Sequence, residues 1–209
     1  VIPHGTPEWY AARLGKATAS RMADVCAMTK SGPGASRANY AAELICERMT
    51  GQVGDHYQSA EMRRGAEIEP IGIAAYSWEF AEFDIEPGGY LDHPTIGMAG
   101  ASPDALVGDA GLIEIKCPNT ATHIQTLLTG RVPMKYETQI TWQMAVTGRA
   151  WCDYVSFDPR MPVELRLSCT RIQRNDEAIA LLEAEVRAFL AEVDQTQMRL
   201  LRRAMREAA

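Results

Sequence analysis

Apolar residues recur along this chain with two periods, and the period changes near residue 80. Before that point the spacing is helical. Residues 7–15 begin at a proline and stop at a glycine, which predicts a short helix. Thr18-Ala19-Ser20 is a cap signal before a second helix at about 20–28. Residues 29–36, with Lys30-Ser31-Gly32-Pro33-Gly34, read as a mobile loop. A helix over 37–50 places Tyr40, Leu44 and Ile45 on one side and ends at Gly51. Another over 59–80 offers Ile68, Ile71, Ala75 and Trp78 as its buried stripe, with Pro70 as a kink.

Beyond residue 83 the runs shorten toward strands. Residues 83–90, 95–102 and 112–117 would form a meander. Residues 151–158 alternate Trp151, Asp153, Val155 and Phe157 against Cys152, Tyr154 and Ser156, and 163–173 is a further strand. Helices at 120–129 and 133–147 interrupt them, the second stopping at Gly148. A long helix follows from Asn175. The expected fold is α/β (α+β), a central mixed β-sheet flanked by helices. It is expected as a single domain over 1–209: N-terminal helices 7–80, sheet core 83–173 and C-terminal helix 175–206.

The candidate chemistry sits in the strand region. Gly108-Asp109-Ala110-Gly111 is a turn signal between two apolar runs. A hairpin symmetric about Asp109 sets Asp104 opposite Glu114. Residues i and i+2 of a strand share a face, so Glu114 and Lys116 point together while Ile113, Ile115 and Cys117 point into the core. Three charged groups then converge at one edge of a small sheet. An acid pair binds a hard divalent cation through oxygen, the metal acidifies a bound water, and a lysine orients that water. The pattern is loose, and charged residues on an exposed strand face give the same spacing.

Composition narrows the alternatives. Net charge is −6, which counts against a protein that coats nucleic acid nonspecifically but allows positive charge focused in one channel. Cysteines at 26, 46, 117, 152 and 169 form no CxxC pair, so reduced thiols are expected in place of a disulfide framework or zinc site. The four histidines form no HExxH motif. No signal peptide or long apolar run is visible, and the expectation is a cytoplasmic protein without a membrane.

Other residues fit a nuclease but also fit plainer roles. Glu69 lies one turn beyond Gly65, a glycine that would let a backbone or ligand come close; it is a third acid or a solvated carboxylate. Tyr136, Gln139 and Gln143 form one polar stripe, while Ile140, Met144 and Ala145 are core. Gln139 would bond water or phosphate, or be a surface amide. Arg13, Ser20 and Ser102 suit a terminal phosphate, although Ser20 also reads as a plain N-cap. Lys30 and Arg37 flank the Gly/Pro loop as DNA-backbone contacts or solvated charges, and Met62 is a wedge at a DNA end or a core methionine. The basic run from Arg199 to Arg206 suits nucleic acid, a partner protein or, most simply, a frayed solvated end.

Several segments together resemble the phage lambda exonuclease / YqaJ family of alkaline exonucleases, within the PD-(D/E)xK nuclease superfamily. They are Gly5-Thr6-Pro7-Glu8-Trp9, Arg13-Leu14-Gly15, Thr18-Ala19-Ser20, Arg64-Gly65 to Glu69 and Ser102-Pro103-Asp104. Glu114-Ile115-Lys116-Cys117-Pro118, Tyr136 to Gln139 and Phe157-Asp158-Pro159-Arg160-Met161 complete the set, in the family's order over about 5–165. Ala105 departs from it, where the family often has glycine.

The resemblance implies a restriction-endonuclease-like core. It implies Mg²⁺, two ions per site with Mn²⁺ as a plausible substitute, held by Asp104, Glu114, Glu69 and the Ile115 backbone carbonyl. Lys116 would act on the attacking water and Gln139 would complete the site. Arg13, Ser20 and Ser102 would bind the 5′-phosphate, with Lys30, Met62 and Tyr136 along the DNA. The implied activity is 5′→3′ degradation of one strand of linear duplex DNA to mononucleotides, leaving a 3′ single strand for phage-type recombination in a bacterial host. A ring-shaped homotrimer and a single-strand annealing partner belong to the same implication. The competing readings are a restriction- or junction-like endonuclease and a noncatalytic DNA-end-binding protein.

Overall fold

Thr6 starts the first helix as its residue type predicts. Its Oγ1 accepts from the Trp9 N–H at 3.2 Å, and Pro7 follows where a missing N–H breaks no helical bond. The computed structural model describes residues 1–30, 32–54 and 60–207, the side chain of Met62 excepted.

After α1 (Pro7–Arg13) come β1 (Ala17–Thr18), a 3₁₀ turn (Ala19–Arg21) and the single-turn α2 (Met22–Val25). The helix expected over 20–28 is therefore much shorter. The 29–36 segment, expected as a loop, contributes to a small hairpin: β2 (Met28–Thr29) pairs with β3 (Gly32–Pro33). α3 (Ala35–Thr50) ends as expected, with Gly51 in the left-handed region at φ 69°. α4 (Ala60–Glu79) runs through Pro70.

The strands expected as a meander divide between two sheets. β4 (Ile85–Pro87), β5 (Leu91–Asp92), β6 (Ala99–Ala101), β7 (Ala105–Val107) and β8 (Gly111–Lys116) come first. α5 (Thr120–Thr129) and α6 (Met134–Thr147) cross over to β9 (Trp151–Phe157), followed by β10 (Leu167–Gln173) and α7 (Asp176–Glu207). A three-stranded sheet has the order β1-β6-β5, and a five-stranded sheet the order β10-β9-β8-β7-β4. The β8–β9 pair is parallel and its neighbours are antiparallel, so the larger sheet is mixed. A parallel pair needs a crossover, which α5 and α6 supply.

β8 is the central strand of that sheet, not an edge. Both its faces are covered, which corrects the half-exposed strand expected from its charges. Leu112 packs with Tyr154, Ile140, Met144 and Phe189 on the side of α6 and α7. Ile113 and Ile115 pack with Val155, Phe157 and Tyr76 on the side of α4.

The buried stripe of α4 also differs from expectation. Ile68 and Ala75 pack inward, but Ile71 is 56% and Trp78 is 88% exposed. The helix instead seats Gly72 and Tyr76, four residues apart, on the sheet. Gly72 is the position of close approach, since a Cβ there would lie 2.3 Å from Ile115 Cδ1. Gly65, assigned that role from sequence, has nothing within 4 Å of a Cβ. No described helix is long and apolar enough to cross a membrane, and all five cysteines are free thiols.

Candidate active site

The hairpin places the two acids as its symmetry predicts. Val107 pairs with Gly111, Leu106 with Leu112 and Ala105 with Ile113, a register centred on Asp109. Continuing it sets Asp104 against Glu114, and the Asp104 N–H donates to the Ile113 carbonyl at 3.2 Å. The Asp104 carboxylate turns inward and its Oδ2 accepts the Ile115 N–H at 2.7 Å. It is Ile115's N–H that is tied to the acids here.

Glu114 has no solvent exposure. A lone carboxylate there would be costly, and three donors offset the cost. Gln139 Nε2 donates to Oε1 at 2.6 Å, and Gln143 Nε2 donates to Oε2 at 2.5 Å. Lys116 Nζ forms an ion pair with Oε1. Helical spacing of four aims both amides of α6 at one strand residue. The polar stripe read from sequence is thus a cradle for a buried carboxylate, and Gln143 belongs to it beside Gln139. Tyr136, one turn earlier, stacks on Tyr154 with centroids 5.7 Å apart, and Lys116 Nζ lies 5.3 Å from its ring centroid.

Electrostatics tie Glu69 to this group. Burial pushes its pKa up; Lys116 and His4 oppose that, and the Glu114 charge adds to it. Asp104 is pushed well above the usual carboxylate range by burial and by the charges of Glu114 and Glu69, against Lys116 and the Ile115 N–H. For Lys116, burial works to lower the pKa, but Glu114 and Asp104 outweigh it and hold the ammonium protonated. Three carboxylates therefore repel one another around a single lysine.

A divalent cation is the group such a cluster fits: the donors are hard oxygens, and a second positive charge relieves their repulsion. Among the described residues no three His, Cys, Asp or Glu side chains meet as a closed ligand set. Lys116 and the two amides occupy the Glu114 oxygens, so a cation would have to share or displace them.

A second cluster adjoins the first. Ser102 Oγ accepts from Arg13 Nη1 at 3.1 Å and from Trp9 Nε1 at 3.0 Å. With both lone pairs taken, its O–H remains to donate. The Arg13 guanidinium lies 4.0 Å over the Trp9 ring, and among the described residues no carboxylate pairs with it. Burial lowers its pKa, while Tyr40, Tyr90, Tyr10 and Glu47 oppose.

Ser20 is not an N-cap: Thr18 caps the 3₁₀ turn and Arg21 precedes α2. Its backbone position still relates it to Ser102. β1 and β6 are parallel with Ala17 against Ala99 and Thr18 against Gly100, so Ser20 and Ser102 both lie two residues past the last pair.

One expected DNA contact, Arg37, is engaged inside the fold. Arg37 is buried, with Glu185 at 2.6 Å, Glu192 at 2.9 Å and the Val25 carbonyl as partners, so it joins α3 to α7. Lys30 is exposed in the β2–β3 turn, and no described contact links it to the acids. The Met62 side chain lies outside the described residues. The sequence placed Gln143 in a polar stripe and Trp9 in a family segment without giving either a role at the site, and it passed over Gly88. At Gly88 a Cβ would lie 1.8 Å from the Pro103 carbonyl oxygen, and its N–H donates to the Asp104 carbonyl at 3.1 Å. Its signal was only a Gly-Gly pair.

A family model described as a YqaJ-like viral recombinase domain matches residues 8–150. A crystal structure of an alkaline exonuclease, LHK-Exo from Laribacter hongkongensis, is 54% identical with a TM-score of 0.88, covering 96% of this chain and 99% of that one. LHK-Exo in complex with dAMP is 53% identical, with a TM-score of 0.89 and the same coverage. A phage related exonuclease from Haemophilus somnus 129PT shares the fold at 15% identity and a TM-score of 0.68, over 88% of this chain and 96% of that one. No curated protein matches.

Proposed function

The chain belongs to the family of YqaJ-like viral recombinase domains, and from this membership we propose that it is a metal-dependent exonuclease. Its substrate is linear duplex DNA bearing a 5′-phosphate. It removes mononucleotides in the 5′→3′ direction and leaves a 3′ single strand for recombination. The observation that carries the reading is the hairpin register that sets Asp104 against Glu114 with Lys116 on the same carboxylate. The exonuclease relatives, one of them holding dAMP, support the substrate class.

Asp104, Glu114, Glu69 and the Ile115 carbonyl would hold Mg²⁺, two ions in our reading. Bound there, the metal supplies charge to the phosphate oxygens and acidifies water. The chain's own groups do the rest. Gln139 and Gln143 fix the Glu114 carboxylate. The Lys116 ammonium orients the water and faces the charge that develops on the phosphate. Water adds to phosphorus, the bond to the 3′-oxygen breaks, and that oxygen leaves with a proton. The departing nucleotide keeps its 5′-phosphate, and the next one acquires a new 5′-phosphate.

Arg13 and Ser102, with Ser20 beside them, read that terminal phosphate, since a guanidinium fork and a free hydroxyl proton match its oxygens. Tyr136 lines the same approach. The ring-shaped homotrimer, the annealing partner and the bacterial cytoplasm belong to this reading as well.

Digestion of end-labelled linear duplex, with and without Mg²⁺, tests it. Mononucleotides should appear only with the metal and fastest from a 5′-phosphate end. Cutting of closed circular DNA would overturn the exonuclease reading. Equal rates on 5′-hydroxyl ends would overturn the phosphate pocket.

A further inference from the structure

The last buried residue of α7 is Val193, yet the helix continues to Glu207. At 1.5 Å per residue it projects about 21 Å beyond the core. Arg199 lies three and four residues before Arg202 and Arg203, and Arg206 four and three after them, so the four share one helix face, and with Glu207 they line a surface depression. Arg203 pairs with Glu207 at 2.8 Å. Arg199, Arg202 and Arg206 have no acidic partner among the described residues. Between Asp194 and Glu207 the sequence carries no acid, in a chain whose net charge is −6. A frayed end explains neither the continuous helix nor the clustering.

The projection leaves the core beside the proposed phosphate pocket. Asp194, one residue past the last buried position, pairs with Arg48 at 2.7 Å. Arg48 Nε donates to the Gly15 carbonyl at 2.7 Å, and Gly15 is two residues from Arg13. The arginine face of α7 thus begins one ion pair and one hydrogen bond away from the turn that follows Arg13 at the end of α1.

We propose that this arginine face binds the phosphate backbone of duplex DNA whose 5′ end lies in the site, an inference that rests on the exonuclease reading. The fit is one of charge: three guanidiniums without acidic partners among the described residues, on the end of α7 that runs past its last buried residue, facing a polyanion. In an acidic protein such a face supplies the focused positive charge that draws DNA to one side.

The test compares the wild type with the triple variant Arg199→Gln, Arg202→Gln, Arg206→Gln and with the matching triple lysine variant. Affinity for a 3′-labelled linear duplex is read by anisotropy in EDTA, from about 50 to about 200 mM salt. The glutamine variant should lose about 2 to 3 from the slope of log affinity against log salt, at about 0.9 per phosphate contact. The lysine variant should keep most of it. With Mg²⁺ the glutamine variant should show a raised KM and a kcat within about twofold of wild type. An unchanged salt slope overturns the proposal, and a changed mass by light scattering with that unchanged slope assigns the face to a second copy of the chain. Binding is read without turnover, so a wild type that binds but does not hydrolyse sinks the exonuclease reading and leaves this comparison decisive.

Discussion

Gln143 donates its side-chain amide to Oε2 of Glu114 at 2.5 Å, between two residues that have no solvent exposure. Its own Oε1 is buried without a hydrogen-bond partner among the described residues. The orientation of this amide is therefore fixed by the carboxylate alone. A hydrogen bond to a charged group contributes about 1.5–3 kcal/mol. Gln143→Leu should lower kcat about 10- to 100-fold with little change in KM, measured by steady-state hydrolysis of linear duplex. Gln143→Glu should be worse, because it sets a second carboxylate against Glu114. An unchanged kcat in the leucine variant would show that Gln139 and Lys116 hold Glu114 unaided.

Gly88 walls the turn that carries Asp104. A methyl group there would lie 1.8 Å from the Pro103 carbonyl oxygen and 2.7 Å from its carbon, so the backbone must move. Gly88→Ala should cut kcat by at least about tenfold and lower Tm, as expected for overpacking that costs about 1–3 kcal/mol. Gly97→Ala is the control, since nothing lies within 4 Å of a Cβ at that position. Equal behaviour of the two variants would refute the role of Gly88.

The Arg13 fork predicts a change in discrimination. Arg13→Lys keeps a charge but loses the planar donors that reach Ser102 and stack on Trp9. Its preference for 5′-phosphate over 5′-hydroxyl ends should fall at least about tenfold, read as a ratio of kcat/KM values. Hydrolysis at saturating 5′-phosphate substrate should change less. A variant with the full preference would move the pocket elsewhere.

Alkaline stability has a named contributor. Tyr76 donates to Asp153 Oδ2 at 2.6 Å, and Arg171 grips the same carboxylate with two bonds of 2.8 Å. Burial and the Asp153 charge raise the Tyr76 pKa above its ordinary value. A raised phenol pKa stabilises the fold fully below the unfolded value of about 10, and that contribution declines as pH rises above it, because the unfolded chain ionises first. Tyr76→Phe should lose about 1–3 kcal/mol at pH 8. The gap from wild type should narrow above about pH 10 in denaturant titrations. A gap independent of pH would remove the linkage.

Legibility from sequence followed the locality of the signal. The Asp104–Glu114 register was readable because a turn centred on Asp109 dictates it through covalent neighbours. The ends of α3 and α6 were readable because Gly51 and Gly148 both take the left-handed conformation. What failed depends on residues distant in sequence. β6 keeps β5 on one side but parts from β7 and pairs in parallel with β1 on the other, a choice no window of sequence contains. Ile71 and Trp78 satisfy helical periodicity, but the sheet accepts Gly72 at the contact because Ile115 and Phe157 leave no room there. Arg37 read as a loop cation until α7 brought Glu185 and Glu192 to it. Glu114 looked half-exposed because the covering amides lie 25 and 29 residues away.

Ser102 follows the last residue of β6, and Asp104 precedes the first residue of β7. One residue, Pro103, separates the group proposed to recognise a chain end from the first of the acids proposed to cut. Its ring fixes φ, His4 Nε2 sits 3.0 Å from its carbonyl oxygen, and Gly88 closes the other side. Two residues span at most about 7 Å. With those two proposed roles, the spacing between Ser102 and Asp104 would act as a gauge whose length is set by covalent bonds and not by the sequence of the DNA. Step size should be the same on every substrate, and inserting one residue beside Pro103 should change the length of the product before it changes the chemistry of the cut.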